Sequence, residues 1–338
     1  MLKRIVSILF KGCFCSRKKL ESMGARSIAQ LFSSSNVSIR LMASGRSCLK
    51  LLFQTANADT LVLPDYICNV ADKAAEKLNT RYYHINEQLK FDIKEILSLI
   101  DDPSKKYCIL IPAYLNRDIN QEHITGFIRK VEADTRIIFD ECQNALACRA
   151  VSEEDEVFTV VSFNNKMTYG LLGGAIVGNH RSMETIQKAN IESVSLKEDI
   201  IALLAFARFV MKDFIHSVGS VFHAPMEYEK SNCTGVYAVT EKGAYKISLA
   251  AMIESIRNIE EDCEHLRKNR DYIFENADRF GIRIIPGISD SLMPYIPIEE
   301  KRGVIGRIPL KGSYSCANYP EGRKDTWCVV LSTLLYFR

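Results

Sequence analysis

The chain has 338 residues, room for roughly two domains of ordinary size. Hydrophobic residues make up 47% and charged residues 25%, which excludes a disordered or collagen-like chain. With 44 basic against 41 acidic side chains the net charge is +3, so no global field points to nucleic acid as a partner.

The N-terminal MLKRIVSILFKGCFCSRKK begins basic, but its apolar run IVSILF is cut by Lys11 and is too short for a signal peptide. Residues 1–25 are expected to form a basic amphipathic leader. The 11 cysteines follow no repeating spacing and read as reduced thiols of a cytoplasmic protein. Cys13 and Cys15 have no further Cys or His cluster to complete four ligands, so no metal site is expected.

From Ser44 to about Gly178 short apolar runs alternate with helical segments: TLVLP, VADKAAEKL, YCILIP, ITGFIRKVEA, RIIFD, VFTVVSF and GGAIVG. This rhythm predicts an α/β fold with a mostly parallel sheet flanked by helices, its strands buried on both faces. In such sheets function gathers beyond the carboxyl ends of the strands, here Pro64, Asp140 and Ser162. The apolar stretch 200–222 predicts a long helix. Arg208, Lys212, Asp213 and His216 forbid a membrane span, leaving burial in the molecule or an oligomer interface, with peripheral membrane contact as the alternative. A single amphipathic helix is expected from Tyr245 to Ala277, with Ile247, Leu249, Met252, Ile253, Ile256 and Ile259 at helical spacing. GIRIIP, MPYIPI and VVLST then read as strands of a smaller α+β unit. The expected organisation is a leader at 1–25, a large domain at 26–235 and a small C-terminal domain at 236–338.

Three segments carry chemistry. Ser44, Gly45, Arg46 and Ser47 open the apolar helix CLKLLFQTA, where Ser44 caps and the N–H groups near Arg46 and Ser47 form an anion site. RIIFDECQNA places Asp140 at a strand end, although Asp140 and Gln143 also fit a helix capping box. VVSFNNKMTYGLLGG places Ser162 and Lys166 just past another strand, ahead of Gly173 and Gly174.

Taken together, these segments resemble the large domain of fold-type I pyridoxal-phosphate (PLP) enzymes, and most nearly the DegT/DnrJ/EryC1/StrS sugar aminotransferases. The resemblance rests on the SGR-S helix start, LPDYIC, D-x-x-Q at Asp140 and Gln143, and Ser162, Phe163 and Lys166 followed by the glycine pair. It is clear from Ser44 to Gly178 and weaker through GAYKISLAAMIESIRNIEEDCEHLRKNR, MPYIPI and ANYPEG.

The resemblance implies PLP as cofactor and Lys166 as the amine that holds it and moves a proton. It further implies that Asp140 keeps the pyridine nitrogen charged, that Gln143 meets the ring hydroxyl region, and that Gly45, Arg46, Ser47 and Ser162 hold the phosphate. From Ser162 to Lys166 is four positions where the family has five, so either the loop is one residue shorter or the phosphate contact shifts to Asn164 or Asn165. The family's stacking aromatic aligns with Cys68, beside which Tyr66 stands as a substitute. The Asn that reaches a neighbouring subunit's phosphate aligns with Ala244, and the following Arg with Lys246. The chain stops at LSTLLYFR, ahead of the family's last helix.

The implied function is amino transfer, from an amino-acid donor such as glutamate to a nucleotide-linked keto-sugar, by a cytoplasmic homodimer. Two alternatives share the fold. One is a sugar dehydratase, which Lys166 opposes because that branch of the family carries His there. The other is a degenerate binding or assembly subunit.

Overall fold

The computed structural model describes residues 2–32, 36–67, 69–75, 78–86, 88–113, 121–142, 151–163, 173–221, 242–280, 283–284, 295–299, 313–315 and 327–330. A seven-stranded sheet forms the centre. Its strands are β1 (Ser38–Met42), β2 (Thr60–Pro64), β3 (Thr80–Tyr83), β4 (Lys106–Pro112), β5 (Asp134–Asp140), β6 (Val157–Ser162) and β7 (Gly174–Gly178), in the order β1-β7-β6-β5-β4-β2-β3. The run from β3 to β6 is parallel, whereas β7 lies antiparallel to both β6 and β1. The strand between β6 and β1 therefore departs from the expected parallel rhythm. As a result the ends of β1, β2, β4, β5 and β6 and the start of β7 share one edge of the sheet.

The runs TLVLP, CILIP, RIIFD and VFTVVS are apolar on consecutive residues because both faces are covered. Leu61, Leu63, Cys108, Leu110 and Ile138 enter one core, while their alternates Val62, Ile109, Ile111, Ile137 and Phe139 enter the other. Helices α3 (Gly45–Ala56), α4 (Asn69–Ala74) and α7 (His180–Lys188) belong to the first, and α5 (Ile93–Ser98) and α6 (Gln121–Arg129) to the second. Buried Arg136 ties β5 to α3, donating to Leu52 O at 2.9 Å and Thr55 Oγ1 at 2.8 Å while pairing with Glu156 at 2.6 Å.

A third core holds the segment read as a leader. Residues Leu2–Phe14 (α1) and Arg17–Ala29 (α2) are helices packed on α9 (Lys246–Arg257), with Ile8, Leu20 and Ile28 fully buried. The approach is close at two glycines: a Cβ on Gly12 would lie 2.8 Å from Ile247 Cδ1, and one on Gly24 2.8 Å from Met252 Cε, so those side-chain ends would have to shift. The basic residues of α1 also find distant partners, Lys11 pairing with Glu254 at 2.6 Å and Arg4 with Asp262 at 2.8 Å.

The stretch from 196 onward is one helix, α8 (Leu196–Val221). The single helix expected from Tyr245 to Ala277 is instead broken at Asn258 into α9 and α10 (Ile259–Glu275). Asn258 Nδ2 donates to Glu254 O at 2.7 Å, competing with the helical ladder, and Glu260, Glu261 and Asp262 then favour a new N-terminus. After α11 (Ala277–Phe280), strands β8 (Arg283–Ile284), β9 (Tyr295–Glu299), β10 (Ser313–Ser315) and β11 (Trp327–Val330) form a second, antiparallel sheet. Among the described residues no helix is long and apolar enough to cross a membrane.

Candidate functional site

Three structural elements converge at the carboxyl edge of the central sheet. The first is the start of α3, where Ser44 is extended (φ −166°, ψ 167°) and its Oγ accepts from Ser47 N at 3.1 Å. The Ser47 hydroxyl lies 3.0 Å from the same oxygen and the residue is buried, so Ser47 N–H serves the cap. This corrects the expectation that it faces an anion. Arg46 is half-buried at the second helical position.

The second is the end of β5. Asp140 is buried, and its Oδ1 accepts from Cys142 N at 2.8 Å, which turns the chain immediately after the strand. Burial, and secondarily the charge of Asp140, push the Tyr83 hydroxyl well above its ordinary range and push the Cys48 thiol up. A carboxylate held there acts through a poorly solvated medium, where its attraction for an opposite charge is least screened.

The third is the β6–β7 pair. Ser162, buried at the end of β6, pairs with Gly174, and Phe163 N donates to Gly173 O at 3.0 Å. Gly173 has φ +134°, a conformation suited to glycine, and its Cβ would fall 2.9 Å from Phe163 Cδ2. Gly174 lies so close to α3 that a Cβ there would stand 2.7 Å from Gly45 N.

Gly45 joins all three. A Cβ on it would meet Cys142 Sγ at 2.8 Å, Ser162 Cβ at 3.1 Å and Ser162 Oγ at 3.5 Å. The helix start, the turn after Asp140 and the Ser162 hydroxyl thus surround one glycine, and the N-terminal half-charge of α3 points toward the same place. Tyr66, just past β2, is buried in the core that holds Phe139, and the preceding Asp65 fixes its segment by accepting from Ile85 N at 2.8 Å. The structure therefore brings Gly45, Arg46, Ser47, Tyr66, Asp140 and Ser162 to one edge. Cys68, Gln143, Asn164 and Lys166 lie outside the described residues.

Sequence reasoning passed over three residues at this edge. Cys142 sits within the quoted D-x-x-Q, yet its packing against Gly45 had no local signal. Glu141 is buried and accepts from Gln121 Nε2 at 3.0 Å. Ser248, on α9, places its Cβ 3.8 Å from the Cβ position of Gly173, and its buried Oγ has no hydrogen-bond partner among the described residues. Ala244 and Lys246 are occupied elsewhere: Ala244 O accepts from Arg17 Nη1 at 2.5 Å, and Lys246 Nζ donates to Cys13 O at 3.4 Å.

No protein-family model matches the sequence, and no curated protein matches it. Solved structures do match the fold. The histidinol-phosphate aminotransferase of Clostridium acetobutylicum is similar at 13% identity and TM-score 0.58 over 98% of this chain and 89% of its own. A serine palmitoyltransferase from S. paucimobilis, with a bound PLP–myriocin aldimine, is similar at 11% identity and TM-score 0.61 over 98% and 79%. The ureidoglycine–glyoxylate aminotransferase of Bacillus subtilis is similar at 14% identity and TM-score 0.56 over 92% and 79%. The chain has the α/β fold of the fold-type I PLP transferases.

Proposed function

We propose that this chain binds PLP at the carboxyl edge of its central sheet and transfers an amino group from an amino acid, glutamate in the first instance, to a nucleotide-linked keto-sugar. The observation that carries this reading is the convergence on Gly45. The α3 N-terminus, the turn after Asp140 and the Ser162 hydroxyl pack so closely there that a Cβ on Gly45 would stand 2.8 Å from Cys142 Sγ and 3.1 Å from Ser162 Cβ. A dianionic phosphate suits the sheet edge in front of that contact, because helix N–H dipoles and a hydroxyl favour negative charge there. The buried carboxylate of Asp140 lies on the same edge to pair with a cationic ring nitrogen.

When bound, PLP supplies an electron sink for the substrate carbon. The chain's own groups do the rest in this reading. Asp140 holds a proton on the ring nitrogen by charge pairing, and Gln143 meets the ring hydroxyl. Ser162, Asn164 and the first turn of α3, which Ser44 and Ser47 stabilise, hold the phosphate. Tyr66, or Cys68 two residues on, lines the ring. The Lys166 amine secures the cofactor and carries the proton between donor carbon and cofactor. Nitrogen leaves glutamate, which becomes 2-oxoglutarate, and the keto carbon becomes an amine. The keto-sugar class, and a homodimer with its site near the subunit boundary, follow from the sequence resemblance.

The test is direct. Protein incubated with PLP and desalted should keep a visible absorbance band, and glutamate should discharge that band with stoichiometric 2-oxoglutarate. Retained colour with no release of 2-oxoglutarate from any amino acid would support the rival reading of a non-catalytic assembly subunit. Ala244 and Lys246, both engaged with the N-terminal helices, are the observation that favours that rival. No band at all would remove the cofactor assignment.

A further inference from the structure

Helices α1 and α8 carry outer faces of the same unusual composition. On α1, Val6, Phe10 and Phe14 recur every fourth residue and are 57%, 61% and 77% exposed, with the Phe10 and Phe14 rings 5.1 Å apart. Lys3 is exposed beside them. On α8, Leu196, Ile200, Ile201, Leu204 and Met211 are exposed along one side, accompanied by Lys197 and Arg208.

Neither helix exposes an acidic side chain among its described residues. Two of the acids of α8 are paired, Glu198 with Lys242 and Asp199 with Arg17 and Lys246 N. Asp199 also brings the helices together, because Arg17 follows α1 directly and Lys246 opens α9, whose side chain reaches Cys13 O. The end of α1 and the start of α8 thus flank the N-terminus of α9.

Isolated exposed hydrophobics need no explanation, but eight large ones on two helices, accompanied on the described faces by Lys3, Lys197 and Arg208, do. A second copy of the chain is a poor cover. Twofold pairing would set Lys3, Lys197 and Arg208 against the same faces, on which no described residue of α1 or α8 exposes a carboxylate. An anionic lipid surface supplies what the face lacks, an apolar layer for the Phe, Ile and Leu side chains and negative headgroups for the cations. We propose that the outer faces of α1 and α8 together dock the protein on anionic membrane surfaces, lying in the interface plane. The proposal is independent of the cofactor reading.

Vesicle flotation of the full chain tests this. The protein should float with vesicles containing phosphatidylglycerol at low salt, float weakly with phosphatidylcholine alone, and be released as salt near 1 M shortens the screening length to about 3 Å. Replacing Lys3, Lys197 and Arg208 by Gln should each weaken partitioning about fivefold, roughly 100-fold for the triple variant. Phe10→Ser with Phe14→Ser should abolish flotation while sedimentation and far-UV circular dichroism stay as in the unaltered protein. The proposal is overturned if the unaltered protein ignores anionic vesicles, if the variants float equally well, or if they dissociate an oligomer, which would show that a second copy covers this face.

Discussion

Replacing Gly45 by alanine inserts a methyl group where α3, β5 and β6 meet. The new carbon would stand 2.8 Å from Cys142 Sγ and 3.1 Å from Ser162 Cβ. Forced contacts of this kind cost about 1–3 kcal/mol. Alanine recovers at most about 1 kcal/mol of helix propensity, and less at a first turn. The net expectation is a loss of about 1–2 kcal/mol. Because the closest overlap is with a thiol, Cys142→Ala should remove most of it, making Gly45→Ala nearly neutral in that background. The coupling between the two sites is then about 1–2 kcal/mol, as for other residues in direct contact. Thermal unfolding of the four proteins without cofactor measures it. Gly45→Ala alone should lower Tm by a few degrees, and the same change added to Cys142→Ala should not. Equal shifts in both backgrounds would refute the packing argument and the close approach of the three elements that it rests on.

Asp140→Asn should leave the fold intact, since an amide oxygen also accepts from Cys142 N, but should slow amino transfer about 100-fold or more. Near-normal turnover in a folded, PLP-loaded variant would reduce Asp140 to a turn-former. Arg136→Met should destabilise the protein by about 3 kcal/mol or more, read from thermal or urea unfolding, because the Leu52 carbonyl loses its donor and Glu156 its counter-charge. The Glu198 carboxyl is held at about 2, below its ordinary 4.5, by the hydrogen bond from Lys242 first and then those from Ser195. Its folded value is depressed, so its contribution is complete above pH 4.5 and is lost as pH falls toward about 2. Glu198→Gln should therefore flatten the dependence of Tm on pH across that window, and an unchanged slope would contradict the pairing.

The buried strands were legible because consecutive apolar residues such as CILIP can only be covered on both sides. Strands β1 and β3 escaped notice since they stand at the sheet edges, where SIRLM and TRYY mix polar and apolar residues. The cap at Ser44 and the position of Asp140 were likewise readable, because each depends on a few neighbours in sequence. What could not be read was partnership across distance. Gly12, Lys11 and Arg4 look like parts of a basic leader until Ile247, Glu254 and Asp262, more than 200 residues away, are placed against them. The break at Asn258 did carry a signal, an Asn followed by Glu260, Glu261 and Asp262, which marks a helix start even inside an unbroken apolar period. Ser47 shows the opposite limit: the sequence placed it correctly at the helix start, but only the structure shows that its N–H is already taken.

The most direct measurement is chemical. The protein loaded with PLP would be reduced with borohydride, digested, and its peptides mapped for the pyridoxyl group. The proposed site predicts one modified peptide, with the label on Lys166, four residues beyond Ser162 and ahead of the Gly173–Gly174 pair. Label on a different lysine, or on none, would contradict it.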